Sequence, residues 1–145
     1  MRGRLLLTLL AIALAAAPAV LAATGIKATL KAPATNPKVC STPSDMPACR
    51  WHYSIKVTDL KGRPVAGKIT AVIVDPFGGV HPVGYGPADP DVYVTNWPFK
   101  GTFRDYLEFP PESKGFDLVL KWTITSKIGG KTYKQVLRRT VTPEL

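Results

Sequence analysis

Past its first two dozen positions the chain alternates apolar and polar residues with a period of two, the signature of half-buried β-strands. Ile26-Lys27-Ala28-Thr29-Leu30-Lys31-Ala32 alternates and ends at Pro33, which predicts an edge strand with its lysines in water. Trp51, Tyr53, Ile55 and Val57 predict a core face, with His52, Ser54 and Lys56 opposite. Lys68 to Val74 is rich in β-branched residues and predicts a more buried strand; Val80 to Val83 predicts a short one. Thr102 to Phe109 alternates until Pro110-Pro111 stops it. Phe116, Leu118, Leu120, Trp122 and Ile124 form the longest stripe. Ile128-Gly129-Gly130-Lys131 then predicts a tight hairpin into a last strand, Tyr133 to Val141.

Turn chemistry separates these runs. Asp59 to Val65 contains Gly62, which can take a positive φ, and Asp75-Pro76-Phe77-Gly78-Gly79 reverses the chain. Gly84 to Asp91 is too rich in Gly, Pro and Asp to be regular. No segment of residues 24–145 has helical periodicity. The pattern predicts an all-β fold, a single immunoglobulin-like β-sandwich of about seven strands, with a small barrel as the alternative.

The first 23 residues have a different character. Met1-Arg2-Gly3-Arg4 is a short positive region, and Leu5 to Ala17 is apolar except for Thr8. Pro18 and then Ala19-Val20-Leu21-Ala22-Ala23 follow. This is the order of a secretory signal peptide, with cleavage expected after Ala22 or Ala23. The competing expectation is an uncleaved anchor, against which Pro18 and the alanine content argue. The domain organisation expected is therefore signal 1–23 and one β domain 24–145, secreted or at the cell surface. No later stretch is long enough to span a membrane.

Export changes the reading of the two cysteines. Cys40 and Cys49 flank a loop containing Pro43 and Pro47. In an oxidising compartment such a pair is expected to form a disulfide. Neither His52 nor His81 stands at metal-ligand spacing from them.

The formal charge of +9 falls to +7 when Arg2 and Arg4 leave with the signal. Such a surface is expected either to attract anionic partners, such as acidic envelope polymers or lipid headgroups, or to serve as a solvated basic face that aids solubility. Nucleic acid is not an expected partner, since no nucleic-acid module is present.

Val57-Thr58-Asp59-Leu60-Lys61-Gly62-Arg63-Pro64-Val65-Ala66-Gly67-Lys68-Ile69 resembles the turn of bacterial immunoglobulin-like surface domains of the invasin and transthyretin-like types. Phe109-Pro110-Pro111 through Gly129-Gly130 is similar to the E–F corner and F–G hairpin of such domains. The resemblance covers most of Val57 to Val141. It implies a secreted or surface module used for adhesion, binding or spacing. It departs from antibody domains, because no cysteine lies on the F strand and Tyr106 is not at the tyrosine-corner position.

Candidate chemistry is sparse. No serine, carboxylate pair or histidine sits in a catalytic pattern, so no enzyme, cofactor or metal is expected. Asp89-Pro90-Asp91 alone is a solvated turn rather than a calcium site, which needs six to eight oxygens. The segment 85–100 concentrates Tyr85, Tyr93, Trp97 and Phe99 among Asp91, Asn96 and Lys100. Such rings either stack on a ligand or fold back to plug the end of the sandwich. The expected function is a non-enzymatic module for binding, adhesion or structural spacing, its partner a protein or an envelope polymer. The alternative is a small-ligand domain, for carbohydrate through the aromatic loop or for a metal.

Overall fold

The computed structural model describes residues 25–84 and 92–145. The expected signal at 1–23, and with it Tyr85, Asp89 and Asp91, lies outside the described residues. Among the described residues there are eight strands: β1 (Ile26–Lys31), β2 (Trp51–Asp59), β3 (Ala66–Val74), β4 (Val80–Pro82), β5 (Trp97–Lys100), β6 (Thr102–Leu107), β7 (Leu118–Ile128) and β8 (Lys131–Val141). Two short 3-10 turns, Pro43–Asp45 and Pro111–Ser113, interrupt the connections. The strands form two antiparallel sheets, β1-β2-β6 and β4-β3-β7-β8, with β5 also paired to β3. The expected all-β sandwich is the observed architecture.

Alternation decides which side chains go inside. Trp51, Tyr53, Ile55 and Val57 from β2 meet Leu120, Trp122 and Ile124 from β7, all buried. The Tyr53 and Trp122 rings stand 5.1 Å apart across the two sheets, tilted by 49°. Trp51 and Phe103 flank Tyr53 within the first sheet. The turns use the predicted residues. Asp59 Oδ1 accepts the Lys61 and Arg63 amides, and Gly62 has φ +80°. The amide of Arg63, its side chain and the Lys61 amide hold the Asp59 carboxyl below its ordinary range.

Two features differ from the alternation pattern. Trp97–Lys100 is a strand, not a loop; it pairs antiparallel with Ala66–Ile69 of β3. Pro98 is tolerated because β5 is short and lies at the sheet edge. Gly101, with φ +74°, then turns the chain directly into β6 of the other sheet. Its amide donates to Val65 and its carbonyl accepts from Val57, so the corner is tied to both sheets. The other difference is Phe116, which is 41% exposed. Pro111–Ser113 and Gly115 at φ +78° delay the start of β7 to Leu118, so Phe116 precedes the buried stripe.

The loop between β1 and β2 closes one end. Cys40 and Cys49 are bridged, with Cα atoms 5.4 Å apart. Val39 donates to Glu144 and Cys40 to Phe109, which fastens the loop to the C-terminal segment and to the end of β6. Pro37 and Pro143 are fully buried there.

Gly67 is a packing requirement rather than a turn residue. A methyl group there would fall on the Thr125 carbonyl oxygen and the Ser126 hydroxyl, with the Phe99 ring 3.0 Å away. Gly67→Ala is expected to cost about 1–3 kcal/mol through overpacking between β5 and β7. Gly84→Ala, whose added carbon would meet nothing closer than 3.9 Å, is expected to change stability by less than about 0.5 kcal/mol. Urea unfolding of both variants distinguishes them; equal midpoints would refute the argument.

Candidate functional site

The aromatic segment divides once its residues are placed. Phe99 is 8% exposed and belongs to the core. Trp97 is half-buried and packs against that core from β5. Tyr93 is 42% exposed beside Gly84, with which it forms an isolated bridge. Tyr85 falls outside the described residues. Phe99 and Trp97 therefore complete the sandwich edge. The three described residues are thus divided between the core (Phe99), its margin (Trp97) and the surface (Tyr93).

A concave surface does exist elsewhere, on the outer face of the three-stranded sheet. A shallow trough of about 1130 Å³ runs across β1, β2 and β6. Its construction follows from strand register. The inward parity of β2 puts His52, Ser54 and Lys56 on the opposite face, and pairing places their neighbours. Lys31, Ser54 and Arg104 form one row across the three strands, and Thr29, Lys56 and Thr102 the next. Interstrand spacing of ~4.8 Å puts Lys31 and Arg104 on strands about 10 Å apart, with a serine hydroxyl between them.

One end of the trough is aromatic. His52 and Tyr106 are register partners with ring centroids 5.6 Å apart. The Arg50 guanidinium lies 4.4 Å from the Tyr106 ring centroid and donates to Glu108 at 2.8 Å. Tyr106 is therefore fixed by a cation on its face, a worthwhile contact when partly desolvated. Asp105 is the carboxylate along the trough lining. It accepts the Tyr106 amide at 2.8 Å and the Tyr53 hydroxyl at 3.2 Å. Burial pushes its carboxyl above the ordinary value, against the pull of those two donors and of nearby His52. The trough thus offers three exposed cations, hydroxyls and two rings, and its one carboxylate is largely enclosed.

The sequence pointed to the outward parity of His52, Ser54 and Lys56, but not to their union with Lys31, Arg104 and Tyr106. The β2–β6 register carries that information, and it links residues about fifty positions apart.

Other chemistry is limited among the described residues. No group of three or more His, Cys, Asp or Glu is placed to hold a metal ion. His81 Nε2 lies 2.8 Å from Asp75 Oδ2, while Asp75 Oδ1 accepts the Phe77 and Gly79 amides, so this pair braces the β3–β4 turn. No helix among the described residues is long and apolar enough to cross a membrane. Compared with known proteins, the chain matches no family model, no curated protein and no solved structure.

Proposed function

We propose that this protein is an extracytoplasmic, non-enzymatic immunoglobulin-like module that binds an anionic polymer of the cell envelope along the β1-β2-β6 trough. The observation that carries the reading is the row Lys31–Ser54–Arg104 beside Lys56, with the His52–Tyr106 ring pair at its end. Cations in register suit a chain of repeated negative charges. Rings suit the apolar faces of sugars, and hydroxyls suit their polar edges.

Three further features support it. With β5 set aside as an extra strand on the β3 edge, the order β1-β2-β6 against β4-β3-β7-β8 is compatible with strands A-B-E against C′-C-F-G of an immunoglobulin-like sandwich. The Cys40–Cys49 bridge suits an oxidising compartment. The n-region, apolar run and small-residue exit of residues 1–23 suit export.

The test is binding of the full chain to alginate oligomers, with neutral dextran as control. Lys31→Gln/Lys56→Gln/Arg104→Gln is expected to weaken alginate binding about tenfold or more, by loss of three exposed charge contacts. Raising salt from about 50 to about 500 mM should weaken the parent protein similarly. Equal binding to dextran, or an unaffected triple variant, would overturn the assignment.

A further inference from the structure

The opposite face of the molecule carries a separate feature that the trough does not use. Phe77, in the turn between β3 and β4, is 81% exposed. Its position is fixed, because Asp75 accepts the amides of Phe77 and Gly79, and Gly78 takes φ +89°. Phe116, just before β7, meets it edge to face with ring centroids 5.7 Å apart. Single exposed apolar residues are ordinary on a protein surface. Two phenylalanines in contact, with Val80 62% exposed beside them, form a contiguous apolar patch, the kind of surface that marks an interaction site.

The patch continues onto the outer face of the larger sheet. Val80, Val74 and Val119 form the first row behind the rings, in register across β4, β3 and β7. The next row holds Lys121 and Arg138, register partners on β7 and β8. Lys68 and Lys134 follow on the same face, both in register with Thr125. The outward positions of β7 and β8 carry Lys121, Lys127, Lys134 and Arg138 and no carboxylate, while Arg139, of the opposite parity, donates to the Pro33 and Ala34 carbonyls. The carboxylates near the rings are engaged: Asp75 faces His81 and two amides, and Asp117 accepts the Thr142 hydroxyl.

From this order, an aromatic tip followed by apolar and then cationic rows, we propose that the β3–β4 turn and the β7–β8 face dock on an anionic lipid bilayer. Phe77 and Phe116 enter the interface, and Lys121 and Arg138 meet the headgroups. A protruding pair of rings matches the shallow apolar layer beneath headgroups. A one-signed cationic face matches a uniformly negative surface. A protein partner would instead have to supply a cavity for the rings and a carboxylate array of matching spacing. The inference rests on different residues from the trough and stands or falls separately.

Vesicle co-sedimentation tests it. The full chain is compared with variants, so any contribution of residues 1–24 is common to all. Binding is expected to vesicles of phosphatidylglycerol with phosphatidylcholine, and to be at least tenfold weaker to phosphatidylcholine alone. Phe77→Ala/Phe116→Ala should lose about tenfold in affinity for the mixed vesicles, since both rings leave only exposed positions and the fold is retained. Lys121→Gln/Arg138→Gln should lose about fivefold per charge. The trough variant Lys31→Gln/Lys56→Gln/Arg104→Gln should bind vesicles within about threefold of the parent, by the same surface-charge arithmetic applied to a face turned away from the lipid. Phe77→Trp should add emission that shifts to the blue on mixed vesicles and is quenched by brominated acyl chains. Retained affinity in the double phenylalanine variant, or added emission that does not shift in the Phe77→Trp protein, would overturn the proposal and leave charge attraction or a protein partner instead.

Discussion

Trp122→Ala is expected to remove about 3–5 kcal/mol of stability and to leave a chain without a cooperative unfolding transition at about 37 °C. Trp122 is 1% exposed at the middle of β7. Its neighbours on the two flanking strands are Ala71 and Leu137. The small Ala71 leaves room beside the indole, and the ring reaches across to Tyr53 of the other sheet. Deleting it removes the ring contact between the sheets and opens a cavity, at a large fully buried side chain, that a sheet backbone cannot collapse to fill. A domain of this size has only about 5–15 kcal/mol in total, so a loss of that magnitude decides whether it folds. Trp122→Phe keeps an aromatic ring in the same place and should lose less than half as much. Urea unfolding followed by circular dichroism separates the cases: with a slope of about 1–3 kcal/mol per molar, the alanine variant should shift by about 2 M or show no baseline. An alanine variant within about 1 kcal/mol of the parent would mean that the inter-sheet cluster does not hold the sandwich together.

The parts of this fold that the chain displayed openly are those in which neighbours in sequence suffice. β2 and β7 are long and alternate, and β7 ends at residues with one conformational meaning, Gly129-Gly130 at φ +57° and +80°. β5 was hidden for a local reason. Four residues with a proline among them give no period, and their strand character comes from β3, which presents its edge at Ala66–Ile69. Phe116 was hidden for the opposite reason: its parity is right, but Gly115 ends the register before it applies.

The candidate surfaces were less legible than the fold. Spread along the sequence, the cations define no face of their own. The pairing sorts most of them onto two faces, Lys31, Lys56 and Arg104 on one and Lys121, Lys127, Lys134 and Arg138 on the other, while Arg139 has the inward parity of β8 and donates to the Pro33 and Ala34 carbonyls. Phe77 looked like one more residue of a Gly-Pro turn; its contact with Phe116, thirty-nine positions later, exists because β3 and β7 are neighbours. Sequence alternation fixes which face a side chain takes, and only strand order fixes whom it meets there. The same separation explains why the aromatic segment kept two readings open: its composition suits a binding loop or an end plug alike, and only pairing with β3 places Phe99 in the core.

The second large effect concerns the Cys40–Cys49 bridge. Cys40→Ser/Cys49→Ser is expected to cost about 2–3 kcal/mol, the loop-closure entropy of a ring of this size. That loss corresponds to a fall in melting temperature of roughly 10 °C for a domain of this length. The reasoning starts from the unfolded chain, which gains freedom when the bridge is absent. The folded state adds a local contribution. The bridged loop supplies Val39 and Cys40, whose amides bind the C-terminal segment at Glu144 and the end of β6 at Phe109. Cys49 is itself buried, and Arg50, next in the chain, reaches Glu108 and the Tyr106 face. Loosening this loop should therefore be felt first at one end of the sandwich and at the aromatic end of the trough. Hydrogen exchange should show the Val39, Cys40 and Glu144 amides losing protection before those of β7. A reductant should lower the melting temperature of the parent to that of the double serine variant and leave the variant unchanged. A parent indifferent to reductant would show that the loop is held by its backbone bonds to Phe109 and Glu144, and that the bridge contributes little beside them.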